Sequence, residues 1–143
     1  MTSKFLAASL IALVTANAVT AQSDKIHLLD GTVVTGAKVV EYTVRNLRYK
    51  RSGSTESVSS DQVAKLELGA FKKVFARGDR DPGMMLTLSR EQLAAKNAVL
   101  SQMGFVAAAG LFFDQDSPAE AVATLNELQK AFPEGGTVPD VYR

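Results

Sequence analysis

The hydrophobic pattern of this chain changes its period once, close to Gly69. Over residues 25–68, apolar and polar residues alternate, as they do along a half-buried β-strand. From residue 89 onward, apolar residues recur at spacings of three and four, which is the period of an amphipathic helix. A segment with one period cannot adopt the other structure without exposing its apolar side chains. The sequence therefore predicts an α+β fold, with strands first and helices second.

Residues 1–21 have the features of a cleavable secretory signal peptide. A positive charge at Lys4 precedes the mostly apolar residues 5–14, and small residues follow. The apolar run is shorter than the roughly 20 residues that a spanning helix needs. Cleavage fits before Gln22 or before Val19, and we prefer the first because a polar mature end follows it. We expect a periplasmic or secreted protein with no membrane span in the mature chain.

The composition limits the compartment and the partners of the mature chain. The sequence has 16 basic and 15 acidic residues, and cleavage removes one basic residue, Lys4, so the mature chain is neutral. A neutral chain has little long-range attraction for nucleic acid, so we expect no nucleic-acid partner. The absence of cysteine excludes disulfides and thiolate metal sites. Because small secreted eukaryotic domains usually depend on disulfides, this exported chain indicates a bacterial cell envelope.

Residues 22–68 predict four or five short antiparallel strands separated by turns. Asp30 and Gly31 form a strong hairpin signal, because glycine adopts positive φ at little cost. Gly36 predicts a bulge or bend, and Asn46 and residues 51–55 predict two further turns. Since so few short strands cannot bury both faces as an open sheet, we expect a small barrel or half-barrel.

Three segments of this region resemble the small SH3-like barrels of bacterial exported proteins. They read KIHLLDGTVVTG at residues 25–36, LRYK at 47–50 and SDQVAKL at 60–66. In such barrels, an Asp-Gly-Thr hairpin leads to a glycine, a strand with a Tyr-Lys ending, a polar loop and a short closing strand. The resemblance implies an SH3-like β domain at residues 22–68 and carries no catalytic residue.

The second half predicts a linker at residues 69–88 and a helical segment at residues 89–143. Ser89, with Gln92 three residues later, has the pattern of a capping box. It predicts the start of a helix that continues to Phe113 and is buried on most sides.

The last predicted helix begins after Ser117. Pro118 suits the first helical position, Glu120 completes a second capping box, and Pro133 ends the helix. One apolar stripe is expected along this helix, formed by Ala121, Leu125, Leu128 and Phe132.

The string AGLFFDQDSPAEAVATLNELQKAFP at residues 109–133 resembles one tetratricopeptide repeat. The matching positions are Ala109, Phe113, Glu120, Ala121, Leu125, Phe132 and Pro133. The tail TVPDVY at 137–142 is similar to the start of a following repeat in envelope members of that family. The resemblance implies a tetratricopeptide-like helical hairpin. Because repeats normally need about three copies to bury their faces, a single copy must pack on the barrel, on the preceding helix or on a partner.

No pattern in the sequence indicates catalysis, a cofactor or a metal site. His27 is the only histidine, whereas zinc sites usually take three or four protein ligands, so we expect it to be structural and solvent-facing. No Gly-x-Ser-x-Gly motif is present. Basic residues at 45–51 and at 72–90 are interspersed with or flanked by acidic ones, which favours a solvated surface and a charge-guarded edge strand. The alternative interpretation of these residues is contact with an acidic partner.

These observations together predict a non-enzymatic protein-binding or scaffold protein of the bacterial cell envelope. We expect it to contact an envelope protein, or a second copy of itself, through Phe105, Phe112 and Phe113. Two alternatives stay open: a cell-wall ligand-binding module acting through the barrel, and a hydrolase with an unrecognised site.

Overall fold

The computed structural model describes residues 22–135, so the predicted signal peptide and the tail after residue 135 lie outside the described residues. A five-stranded antiparallel sheet is followed by helices, which confirms the α+β class. The strands are β1 (Asp24–Leu28), β2 (Val33–Tyr42), β3 (Asn46–Arg51), β4 (Ser54–Ser59) and β5 (Val63–Glu67). The helices are α1 (Phe71–Val74), α2 (Pro82–Ala94), α3 (Ala98–Asp114) and α4 (Pro118–Ala131).

The strands follow the order β4-β3-β2-β1-β5, and the sheet is not closed into a barrel. Strand β2 takes part in two ladders, because its first half pairs with β1 and its second half pairs with β3. The register shifts once in each ladder, near Gly36 and near Val40. Gly36 has a φ of +68°, and the bulge predicted there is confirmed. Bulges bend a strand and increase its twist, which lets β2 serve both ladders.

Turn residues set the hairpins where the sequence predicts them. Gly31 has a φ of +87°, and its N–H donates to the carbonyl of Leu28 at 3.1 Å, so the predicted Asp30-Gly31 turn is confirmed. Between β3 and β4, Ser52 and Gly53 both have positive φ. A two-residue loop with that geometry matches the twist of the two strands it joins.

The inner face of the sheet packs against α3 in one hydrophobic cluster. Ile26, Leu47 and Leu66 are completely buried there, together with Val99 and Met103 of α3. The connection continues through Gln102, whose Nε2 donates to the carbonyl of Tyr42 at 3.1 Å. The sheet and α3 thus share one core, and the division of the chain into separate domains at residue 69 remains a prediction.

The predicted helix start at Ser89 is wrong. Helix α2 already begins at Pro82, and Asp81 is its N-cap, with Oδ1 accepting from the N–H of Met84 at 2.9 Å. Ser89 is buried inside α2, where its hydroxyl donates to the carbonyl of Met85. A serine can cap a helix or bond back to the carbonyl four residues earlier. Here the Asp-Pro pair supplies the start signal instead.

The continuous helix predicted up to Phe113 is also interrupted. Residues 95–97 separate α2 from α3. Ser117 is the N-cap of α4, and Pro118 lies in its first turn, as expected. The side chain of Ser117 makes no capping hydrogen bond, however, so the second predicted capping box does not form.

The buried stripe of α4 differs from the predicted one at two positions. Phe132 follows the last residue of the helix and is half-buried. Ala121 and Leu128 are buried as expected. Thr124 is buried where Leu125 was expected, and Leu125 is exposed. No helix among residues 22–135 is long and apolar enough to cross a lipid bilayer.

Candidate functional site

Four apolar side chains that are half-buried or exposed lie near the closed end of the α3–α4 hairpin. Phe112 and Phe113 belong to the last turn of α3, and Val122 and Leu125 to the first half of α4. Phe112 is half-buried, whereas Phe113 is 49% and Val122 is 51% exposed. We call these four residues the hairpin surface. Exposed aromatic side chains of this kind are common at protein-binding surfaces.

Phe105 does not belong to this surface. Its side chain is completely buried within α3, so a partner cannot reach it in the folded protein. The prediction that Phe105 contacts a partner is therefore corrected. The sequence cannot separate it from Phe112 and Phe113, because nearly every residue of this helix is apolar.

The turn between α3 and α4 holds the two remaining phenylalanines in place. The N–H of Ser117 donates to the carbonyl of Phe112 at 2.9 Å, and the N–H of Asp116 donates to the carbonyl of Phe113 at 3.1 Å. Asp116 has a φ of +55°. This is the Schellman arrangement, in which a residue with positive φ ends a helix and satisfies its last carbonyls.

The α2–α3 connection repeats this geometry. The N–H groups of Asn97 and Lys96 donate to the carbonyls of Gln92 and Leu93, and Lys96 has a φ of +62°. Both interhelical turns thus use a charged residue at a position that favours glycine.

An ion pair joins α2 to α4 across the helical layer. The Nε and one terminal nitrogen of Arg90 each donate to a different carboxylate oxygen of Glu127 at 2.7 Å. This bidentate hydrogen bond from Arg90 lowers the pKa of Glu127 from its ordinary value, and the bond to Glu127 raises the pKa of Arg90.

Two of the four basic residues at positions 45–51 are paired with carboxylates. Arg48 lies 3.1 Å from Glu41, and Arg51 lies 3.2 Å from Glu56. The hydroxyl of Tyr49 also donates to Glu56 at 2.9 Å; burial, followed by this bond, raises the pKa of the tyrosine. These contacts fit the predicted solvated surface, but β3 lies between β4 and β2, so its basic residues do not guard an edge of the sheet.

His27 lies on β1 beside Glu67 of β5. Its Nε2 atom is buried and is 3.1 Å from Glu67 Oε1, yet the pair does not have hydrogen-bond geometry. Lys65 donates to the same oxygen at 2.8 Å, which is the main cause of the lowered pKa of Glu67. Within residues 22–135, no group of three or more histidine and carboxylate side chains could hold a metal ion.

Two open grooves border the segment that leads into β1, and sequence reasoning missed both. The first, with a volume of about 630 Å³, lies between β2 and the start of α3 and is lined by Lys38 and Lys96. We call it the β2 groove. The second, with a volume of about 350 Å³, follows β5 and is lined by Lys25, Lys65 and Lys72. We call it the β5 groove.

The two grooves share three lining residues and are therefore neighbours, and we call them together the lysine face. The shared residues are Gln22, Ser23 and Leu68. Its lysines come from five separate parts of the chain, so no run of basic residues in the sequence reveals it.

No protein-family model matches this chain, and no curated protein or solved structure matches it significantly. The function is therefore argued from the geometry of the described residues.

Proposed function

We propose that this chain is an exported, non-enzymatic binding or scaffold protein of the bacterial cell envelope. The observation that carries the proposal is the exposure of the aromatic residue Phe113, about half of which is accessible. Val122 and Leu125 extend the apolar character onto α4. Burying an aromatic and two aliphatic side chains against a partner supplies a favourable contribution to binding.

The partner of the hairpin surface is either a second copy of this chain or another envelope protein. The bidentate Arg90–Glu127 pair fixes α4 relative to α2, and the Schellman turn fixes α3 relative to α4. Because this framework is ordered before a partner arrives, binding costs less conformational entropy.

Two finer features of the fold belong to the same proposal. We infer an SH3-like β domain at residues 22–68; its support is the strand order, the two-ladder strand β2 and the short 3₁₀ turn that precedes β5. We infer a tetratricopeptide-like hairpin in α3 and α4; its support is the short connection between antiparallel helices and the buried small residues Ala109 and Ala121.

Sedimentation velocity and affinity capture from an envelope fraction test the hairpin surface with the variant Phe113→Glu. The matched control is Val44→Glu, which alters an exposed valine at the β2–β3 turn. We expect Phe113→Glu to abolish self-association or the capture of a defined envelope protein, and Val44→Glu to retain it. A wild-type protein that is monomeric and captures nothing, or two variants that behave alike, contradicts the proposal.

Purified peptidoglycan sacculi separate this proposal from the cell-wall alternative. A binding protein that acts through the hairpin surface should not sediment with sacculi. If the protein does sediment with them, and Phe113→Glu does so equally, the cell-wall ligand function replaces the present proposal.

Export is tested by the intact mass of the protein recovered from cells. We expect the mature chain to begin at Gln22 and to be found in the periplasmic or extracellular fraction. A mass that retains Met1 would contradict export.

A further inference from the structure

We propose that the lysine face binds an acidic polypeptide segment that also carries apolar side chains. This inference goes beyond the proposed function, because it concerns a second surface that contains no residue of the hairpin surface. It rests on the positive charge of the two neighbouring grooves and on the apolar walls of the β2 groove.

Positive charge is concentrated on this face. Five lysines line the grooves, against the two carboxylates of Asp24 and Glu67. The surplus of three positive charges exceeds the net charge of +1 of the whole chain. Such a concentration raises the local potential and attracts an oppositely charged partner.

Both carboxylates of the lysine face are already engaged by the fold. Asp24 accepts two backbone hydrogen bonds, from Val39 at 2.7 Å and Gly69 at 2.8 Å. Glu67 is shared by Lys25, Lys65 and His27. Lys25 and Lys65 are therefore already paired inside the protein, and a ligand carboxylate is left to the other three lysines of this face.

Three of the five lysines have no internal acidic partner. None of the ion pairs found among residues 22–135 involves Lys38, Lys72 or Lys96. In addition, Lys38 lies directly opposite Lys50 in the β2–β3 ladder. Like charges at such positions destabilise a sheet, and a bound carboxylate would relieve this repulsion.

The β2 groove also has apolar walls, and these favour a polypeptide ligand over a phosphate or sulfate polymer. Val40, Leu68, Ala98 and Leu100 all line it, and Val40 is 38% exposed. A phosphate or sulfate polymer has no apolar groups to place against these side chains. A peptide with carboxylates next to aliphatic side chains complements both the lysines and the walls.

Fluorescence anisotropy with synthetic peptides tests this assignment on the purified protein. The probe is a fluorescein-labelled peptide of four Glu-Leu repeats. One matched probe replaces each Glu by Gln, and another replaces each Leu by Ser. We expect each replacement to weaken binding by about tenfold or more, since tenfold corresponds to about 1.4 kcal/mol and one buried leucine contributes about that much.

Charge variants locate the binding site. We expect the double variant Lys38→Gln/Lys96→Gln to weaken binding of the Glu-Leu probe about fivefold, in the range of two exposed ion pairs. The matched double variant Lys73→Gln/Lys130→Gln removes two exposed lysines that line neither groove, and its affinity should stay within about twofold of wild type. Circular dichroism checks that each variant is folded.

The proposal is overturned if the Glu-Leu probe does not bind detectably, or if the two double variants lose affinity for it equally. It is also overturned if the probe in which each Leu is replaced by Ser binds as tightly as the Glu-Leu probe and is displaced by dextran sulfate. The last result assigns the face to anionic polymers instead. The variant Phe113→Glu should bind the Glu-Leu probe like wild type, so failure of the hairpin surface and failure of the lysine face are distinguishable.

Discussion

The carboxylate of Asp24 accepts a 2.8 Å hydrogen bond from the backbone N–H of Gly69, a residue 45 positions further along the chain. Its second oxygen accepts a 2.7 Å bond from the N–H of Val39. Residue 69 approaches the N-terminal segment so closely that a Cβ atom would overlap the backbone carbonyl of Gln22. One side chain at the start of β1 thus connects β2 with the point where the sheet ends and the helices begin.

We expect Asp24→Ala to lower the free energy of unfolding by about 3–6 kcal/mol, because two backbone donors lose a charged acceptor and each such bond contributes about 1.5–3 kcal/mol. Urea denaturation followed by circular dichroism measures the change. The control Asp61→Ala removes an exposed carboxylate from the 3₁₀ turn before β5 and should shift stability by less than about 0.5 kcal/mol. If Asp24→Ala and Asp61→Ala lower the free energy of unfolding equally, the hydrogen bonds of Asp24 do not stabilise the fold.

Features that depend on a few neighbouring residues were predictable from the sequence. The Asp30-Gly31 turn and the Gly36 bulge follow from backbone conformations that glycine adopts easily, and both are present. The change of period near Gly69 gave the α+β class in the same way, because periodicity is a local property.

Features that depend on distant contacts were not predictable. Ser89 has a good capping sequence, and only the burial of α2 against α3 shows that it lies inside the helix; the start of α2 itself follows from the local Asp81-Pro82 pair. Phe105 and Phe113 both lie in the apolar helix α3, and the packing of that helix buries the first and exposes the second. The lysine face requires five lysines from separate strands, loops and helices, so its existence depends on the tertiary fold.

The turn between α3 and α4 should become more stable when its residue with positive φ is a glycine. Asp116 has a φ of +55°, and the left-handed conformation costs a non-glycine residue about 1–2 kcal/mol. We expect Asp116→Gly to be more stable than Asp116→Ala by about 1 kcal/mol, as measured by urea denaturation. Both variants remove the carboxylate, so the comparison isolates the backbone. A glycine variant no more stable than the alanine variant would contradict this account of the turn.

The Arg90–Glu127 pair should make α4 sensitive to acid. The folded-state pKa of Glu127 lies below its ordinary value of 4.5 because Arg90 donates to it. The contribution of the ion pair to the free energy of unfolding is therefore complete above about pH 4.5, and it is lost as the pH falls through the lowered pKa of Glu127. Both side chains are more than one-third exposed, so we expect Glu127→Gln to cost only about 0.5 kcal/mol at pH 7.

Denaturation of wild type and Glu127→Gln at pH 7 and at pH 3 measures this dependence. The difference in unfolding free energy between the two proteins should narrow at the lower pH, because protonation of Glu127 removes the ion pair. Glu91→Gln serves as the control, because Glu91 is exposed on α2 and takes part in none of the ion pairs of residues 22–135. If wild type and Glu127→Gln differ in unfolding free energy by the same amount at both pH values, the ion pair is not the cause of that difference.

Two glycines of α3 should respond in opposite directions to the same substitution. A Cβ at Gly104 would overlap the hydroxyl of Ser89 and come within 2.6 Å of the Phe75 ring, whereas a Cβ at Gly110 would meet no atom within 4 Å. We expect Gly104→Ala to destabilise the protein by about 1–3 kcal/mol through overpacking. Gly110→Ala should stabilise it by about 0.5–1 kcal/mol, because alanine is the better helix former. Thermal unfolding of both variants measures the two shifts. Shifts of the same sign would mean that helix propensity, and not the contact of α3 with Ser89 and Phe75, governs this helix.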